Sequence, residues 1–128
     1  MNNHRNQVMP IQRLHVADRY SEAAIHHGTV YLAGQVPNDA SLDIGGQTAE
    51  VLALIDQLLA EAGSDKNHLL MVTVYLRDLA DYAGMNAVWD TWLNAGHAPP
   101  RACVQAALAH PAWKVEIVVT AAVCSSSC

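Results

Sequence analysis

Two charged residues stand where charge is costly. Arg101 follows Pro99-Pro100 at the head of PPRACVQ (99–105), and Glu116 lies inside WKVEIVV (113–119), the most apolar run of the chain. Both stretches read as strands, and an ionised group among apolar strand neighbours needs a partner. Two arrangements supply one. In the first, a cleft holds a small carboxylate on the planar donor fork of Arg101 and a water at Glu116. In the second, Arg101 and Glu116 are an internal ion pair, the guanidinium lowering the carboxyl pKa. The two are compatible when the cleft is empty. Cys103 shares a strand face with Arg101, because side chains alternate with period two. A nucleophilic Cys wants a basic neighbour, and no His is close in sequence, so the simpler reading is a half-buried wall residue.

Other chemistries find less support. The seven histidines show no ligand spacing such as HxxxH with an acid, and His26 and His27 fall on opposite faces of a strand. The sequence contains no phosphate loop, dinucleotide fingerprint or serine elbow. Cys124 and Cys128 could bind a metal or cross-link, but CSSSC reads more simply as a loose tail. The three cysteines form no disulfide framework in a reducing compartment. Net charge is −5 with no Lys/Arg cluster, which argues against nucleic acid as the main partner.

These residues need a scaffold. At 128 residues the chain suits a single core, with residues 1–10 a flexible segment, 11–123 one domain and 124–128 a flexible tail. The start, MNNHRNQVMPIQRL, has no apolar core run and does not read as a signal peptide. No segment approaches the roughly 20 apolar residues that cross a bilayer, so the expected location is cytoplasmic. Short β-rich runs IQRLHV, SEAAIHH and TVYLAG fill 11–34, with His27-Gly28 as a tight turn. Val51, Ile55, Leu58, Leu59 and Ala62 recur at helical spacing over 47–62, before Gly63. Leu69–Leu76 is β-branched. A second helix over 82–95 carries Met85, Val88, Trp89 and Trp92 as a core stripe and stops at Gly96. Strands at 101–108 and 114–123 complete a β-β-β-α-β-α-β-β order. Two helices cannot cover both faces of six strands, so they belong on one face. With 52% apolar and only 15% charged residues, the other face calls for further subunits.

Five segments in order, GTVYLAGQVP (28–37), QTAEVLALIDQLLAEAGS (47–64), YLRDLADYAGMN (75–86), APPRACVQ (98–105) and KVEI (114–117), resemble the RidA/YjgF family. The likeness spans about 18–123 and is greatest to the YoaB-type branch. It implies an α+β, chorismate-mutase-like domain: one mixed six-stranded sheet, two helices on one face, assembled as a homotrimer with clefts between subunits. It also implies that the last strand enters the middle of the sheet, where sequence order alone would pair 101–108 with 114–123.

The activity implied is hydrolysis of reactive 2-imino or enamine acids, of the 2-aminoacrylate and 2-iminobutanoate type, to 2-keto acids and ammonia, without a cofactor or metal. Carried over residue by residue, the carboxylate-binding arginine is Arg101 and the acid in the cleft is Glu116. Tyr20, Gly34, Cys103 and Asn86 are the further substrate-binding positions. Tyr20 closes the cleft or packs at a subunit boundary, and Asn86 binds or is merely a helix-face residue. The chain departs from the family pattern at Ala33, usually serine, and at Asp18-Arg19, usually Gly-Pro, which touches substrate preference. The alternative is a non-catalytic trimer on the same scaffold that binds a 2-keto acid, as a regulator. An RNA-directed activity, known for some relatives, is opposed by the acidic balance.

Overall fold

The computed structural model describes residues 10–124. The expectations of a loose N-terminal segment and a loose CSSSC tail fall almost entirely outside them. The elements run β1 (Gln12–Val16), β2 (Ser21–His26), β3 (Thr29–Leu32), α1 (Ile44–Glu61), β4 (Leu69–Leu76), α2 (Tyr82–Trp92), β5 (Arg101–Gln105) and β6 (Val115–Ala122). Single 3-10 turns at Lys66–His68 and Leu79–Asp81 lead into β4 and α2. The six strands form one mixed sheet in the order β1-β2-β3-β6-β4-β5. The last strand therefore lies between β3 and β4, antiparallel to both, and β5 runs parallel to β4 at the edge. Sequence neighbours β5 and β6 do not pair.

The β2–β3 turn has the expected chemistry. His27 and Gly28 take φ of 51° and 78°, the two positive values of a hairpin turn that follows the sheet twist. One detail differs. The left-handed His27 brings its ring against His26, centroids 4.0 Å apart, rather than to the opposite face.

Helix α1 starts at Ile44, three residues before the expected 47. Asp43 caps it, accepting from the Gly46 amide at 2.8 Å. The cap residue precedes Ile44-Gly45-Gly46, and two glycines weaken any helix signal there. At the other end of the chain α2 stops at Trp92, and β5 ends at Gln105. Residues 106–114 are thus a loop rather than strand ends.

Val72, Val74 and Leu76 of β4 and Val115, Ile117 and Val119 of β6 point to the helix side. There they meet Val51, Leu52, Ile55 and Leu59 of α1 and Met85 and Trp89 of α2 in one core. The opposite face has no helix. Register places Tyr31, Thr120 and Met71 in one row across it, Val118, Thr73 and Ala102 in the next, and Glu116, Tyr75 and Val104 in a third. Tyr31, Met71 and Val104 are 51%, 42% and 41% exposed, an apolar surface that none of the described residues covers.

Candidate active site

The site residues fall into two groups. Arg101 opens β5 opposite Val72 and so faces the helices. Its Nη1 donates to Asn86 Oδ1 at 2.8 Å and its Nη2 to the Tyr82 hydroxyl at 3.4 Å. The guanidinium carbon stands 5.2 Å from the Trp89 ring centroid and 5.9 Å from that of Tyr82, within cation–π range. One face of α2, over two turns, thus holds the cation. Asn86 is more than a helix-face residue, and the core tryptophan of the stripe also backs the arginine.

Among the described residues no carboxylate lies within ion-pair distance of Arg101. The internal pair with Glu116 does not form, and among the described residues no guanidinium makes an ion pair with that acid. The register gives the reason. Val72, partner of Arg101, is a core position, whereas Tyr75, partner of Glu116, belongs to the open face. Arg101 and Glu116 therefore leave opposite faces of the sheet.

Cys103, opposite Val74, shares the face of Arg101 as alternation requires. Burial pushes its thiol pKa up, and the nearby Arg101 charge pulls the other way without cancelling it. This thiol is protonated at neutral pH, a poor nucleophile.

The second group meets in a cleft of about 540 Å³, where β2, residues 33–38, α1 and the 106–114 loop converge. Glu116 reaches it beside Gly34, with Tyr20, Glu22, Gln35 and Trp113 on its walls. The Glu116 carboxylate lies against Gly34 so closely that a Cβ on residue 34 would overlap its Oε2 and stand 2.9 Å from its Cδ. Ala33 is also in the wall, so the departure from serine changes the cleft surface itself. Gln35 donates to Glu22 Oε1 at 3.3 Å and to the Ala33 carbonyl at 3.0 Å. Among the described residues, Glu22 and Glu116 are the charged ones in the lining, and no cation accompanies them.

Two positioning residues are not among those expected from the sequence. Gln47, fully buried on α1, donates to the carbonyls of Ala40, Leu42 and Ala112 and accepts from the Lys114 amide at 2.8 Å. Arg77 donates to the carbonyls of Trp113, Leu108 and His110. Together they fix the 106–114 loop that carries Ala109 and Trp113 to the cleft. A polar residue at a core-facing helical position was the available clue to Gln47.

Comparison with known proteins agrees with the fold. Residues 10–123 match the family described as Endoribonuclease L-PSP. A RutC family protein of Haemophilus ducreyi is 53% identical over 113 residues, 88% of this chain and 97% of that protein. The RutC family protein YoaB of Escherichia coli is 46% identical over 115 residues, covering 90% of this chain and all of YoaB. The crystal structure of NMB1025, a YjgF family member from Neisseria meningitidis, superposes with a TM-score of 0.90 at 50% identity, over 92% of this chain and 98% of that one. The strand order, the helix layer and these likenesses agree: the chain belongs to the YjgF/RidA (L-PSP/RutC) family, close to its YoaB-type members.

Proposed function

We propose that residues 11–123 act as one cytoplasmic enamine/imine deaminase domain, hydrolysing small 2-imino acids to 2-keto acids and ammonia at clefts between subunits of a homotrimer. One observation carries the reading: among the described residues, Arg101 is a held cation without a carboxylate, and the Glu116 cleft holds carboxylates without a cation. Since the two leave opposite faces of one sheet, a neighbouring copy is the natural source of the missing half. Arg101 lies on the edge strand, free to approach a second protomer, and the uncovered apolar face gives copies a reason to associate.

In the joined site the Arg101 fork binds the substrate carboxylate bidentately and leaves C2 over Glu116. The carboxylate takes a proton from water as its oxygen bonds to C2 of the iminium. It returns that proton to nitrogen, then takes the proton of the C2 hydroxyl as the C–N bond breaks, leaving the keto acid and ammonia, and finally passes this last proton to solvent. Tyr20 and Gly34 shape the wall around C2, Asn86 orients Arg101, and Cys103 lies beside Arg101 as a neutral thiol. No cofactor is required. Such imines hydrolyse unaided, so positioning and one general base suffice. The RNA cleavage in the family's name is disfavoured here, because a chain of net charge −5 without a basic cluster has little to hold a phosphate backbone.

The test uses subunit mixing. Arg101→Ala and Glu116→Gln chains, each inactive alone in an assay that generates 2-iminobutanoate and traps what remains, are unfolded together and refolded as a mixture. An inter-subunit site restores about a quarter of wild-type activity at equal mixing, since each site draws its two residues from different chains. Light scattering should give about three times the 13.8 kDa chain mass. A mixture as dead as its components, or a monomer at micromolar concentration, overturns the shared site. Wild-type trimers that bind 2-oxobutanoate but never accelerate imine loss would make the protein a keto-acid binder instead.

A further inference from the structure

A second chemical cluster lies away from the Arg101 and Glu116 groups, where the chain leaves β6. The Asp65 carboxylate, the His68 ring and the Cys124 sulfur offer ligand atoms that all lie within 4.8 Å of one another. His68 Nδ1 is 2.6 Å from Asp65 Oδ1 and 3.6 Å from Cys124 Sγ. All three residues are partly buried. His68 and Cys124 come from segments 56 residues apart, so no spacing motif announces them, and the expectation of no metal site rested on spacing.

The backbone around the cluster is fixed. Asp65 caps the Lys66–His68 turn, accepting from the Asn67 amide at 2.9 Å. The Cys124 amide donates to the Gly63 carbonyl at 2.9 Å, and Ser64 Oγ donates to the Ala122 carbonyl at 2.6 Å. These bonds lock the end of β6 against the α1–β4 connection. Cys124 is disulfide-bonded, contrary to the expectation from the sequence, whereas Cys103 is a free thiol.

We propose that, once the disulfide at Cys124 is reduced, Asp65, His68 and Cys124 bind a divalent cation of the zinc class, so that the disulfide and the metal are alternative states of one sulfur. Thiolate, imidazole and carboxylate together are a borderline-soft donor set that suits Zn²⁺ and not Mg²⁺ or Ca²⁺. The geometry fits. With bonds of about 2.3 Å to sulfur and about 2.0 Å to nitrogen, a tetrahedral ion needs its N and S ligands about 3.5 Å apart. The His68–Cys124 distance already meets that figure. The Asp65 carboxylate has to turn away from its short hydrogen bond to His68 to leave room, and it is exposed enough to do so. Water would supply the fourth ligand.

The steps balance. A dithiol or phosphine reductant supplies two electrons, and two protons complete the two thiols. The cation then displaces the Cys124 thiol proton to solvent, while His68 carries its remaining proton on Nε2 and ligates through Nδ1.

The probe is Co²⁺, whose bond to a thiolate gives a near-ultraviolet charge-transfer band, followed by competition with Zn²⁺. Reduced protein, kept in a phosphine, should bind one Co²⁺ per chain with that band and lose it to Zn²⁺. Cys103→Ser should bind Co²⁺ with the same band and the same affinity. His68→Ala and Asp65→Ala should weaken binding at least tenfold, and Cys124→Ser should remove the band. Oxidised protein should not show the band. If the reduced chain binds no stoichiometric metal, the site does not exist. If His68→Ala and Asp65→Ala bind as tightly as wild type, the sulfurs alone hold the ion. If Cys124→Ser keeps the band, the thiolate is another one. Each of these results overturns the proposal.

Discussion

The Glu116 carboxylate occupies the place where a side chain on Gly34 would begin. The glycine is a matter of room rather than of backbone conformation, since its φ is not among the positive ones. Gly34→Ala should therefore fold normally, because the obstacle is the end of a flexible side chain, but it should push Glu116 off its position. On the deaminase reading, turnover falls by roughly 10- to 100-fold with little change in keto-acid binding. Wild-type turnover in Gly34→Ala would mean that the placement of the acid does not matter.

Arg101 and Glu116 should separate binding from chemistry. Arg101→Ala removes a charge-assisted clamp worth about 1.5–3 kcal/mol, and calorimetry with 2-oxobutanoate should then show no binding. Glu116→Gln keeps the shape of the cleft but cannot accept a proton. Turnover should drop by roughly 10²-fold while keto-acid binding survives. Normal turnover in Glu116→Gln would leave the acid without a catalytic part.

The raised pKa of Cys103 predicts slow chemistry at sulfur. Alkylation of Cys103 by iodoacetamide at pH 7 should lag behind that of a free cysteine peptide and speed up only well into the alkaline range. Cys103→Ala should retain most deaminase activity. Loss of several orders of magnitude with the oligomer intact would indicate a covalent intermediate.

Gln47 should be a large stability term for one polar side chain. Gln47→Leu leaves three carbonyls and the Lys114 amide without their partner, at a cost of about 2–4 kcal/mol in urea unfolding. Because the same bonds hold the 106–114 loop, 2-oxobutanoate affinity should fall with stability. A change of a few tenths of a kcal/mol would show that water replaces the amide freely.

His15 holds β1 to α1 through Glu61, Nε2 to Oε2 at 2.5 Å, and this hydrogen bond, with the charges of Glu61 and Glu22, raises its pKa above 6.5. A histidine whose pKa is raised on folding contributes its stabilisation fully below 6.5 and loses it as pH climbs through the folded value. Protection of the β1 amides against hydrogen exchange, corrected for the intrinsic rate, should decline over that interval. Glu61→Gln should move the His15 titration back toward 6.5. An unchanged midpoint would remove Glu61 as the cause.

Much of this molecule is legible in its sequence. The apolar stripe of α1, the His27-Gly28 turn and the β-branched β4 are local signals, and each element formed where its signal lay. The start of α1 at Ile44 was hidden because a capping Asp43 followed by two glycines looks like loop. The strand order came from resemblance, since nothing local says that residues 115–122 bypass β5. At the site, alternation correctly put Cys103 with Arg101. The same rule could not relate Arg101 to Glu116, because faces on different strands are tied by register, and register is a tertiary fact. Gln47 and Arg77 stayed unseen for that reason too: their partners are backbone carbonyls of segments far along the chain.

The central place of β6 bears on how the chain is made. Before residues 115–122 have been synthesised, β3 and β4 each present an open edge, and the hairpins on one side have no sheet to join the β4–β5 pair on the other. The emerging polypeptide has most of its apolar residues and none of the closure, a state prone to edge-to-edge association. Synthesis that stalls just short of Val115 should yield aggregation-prone fragments and not a smaller folded protein. The final stretch acts as a keystone, and its arrival sets the moment at which the nascent chain becomes safe from its neighbours.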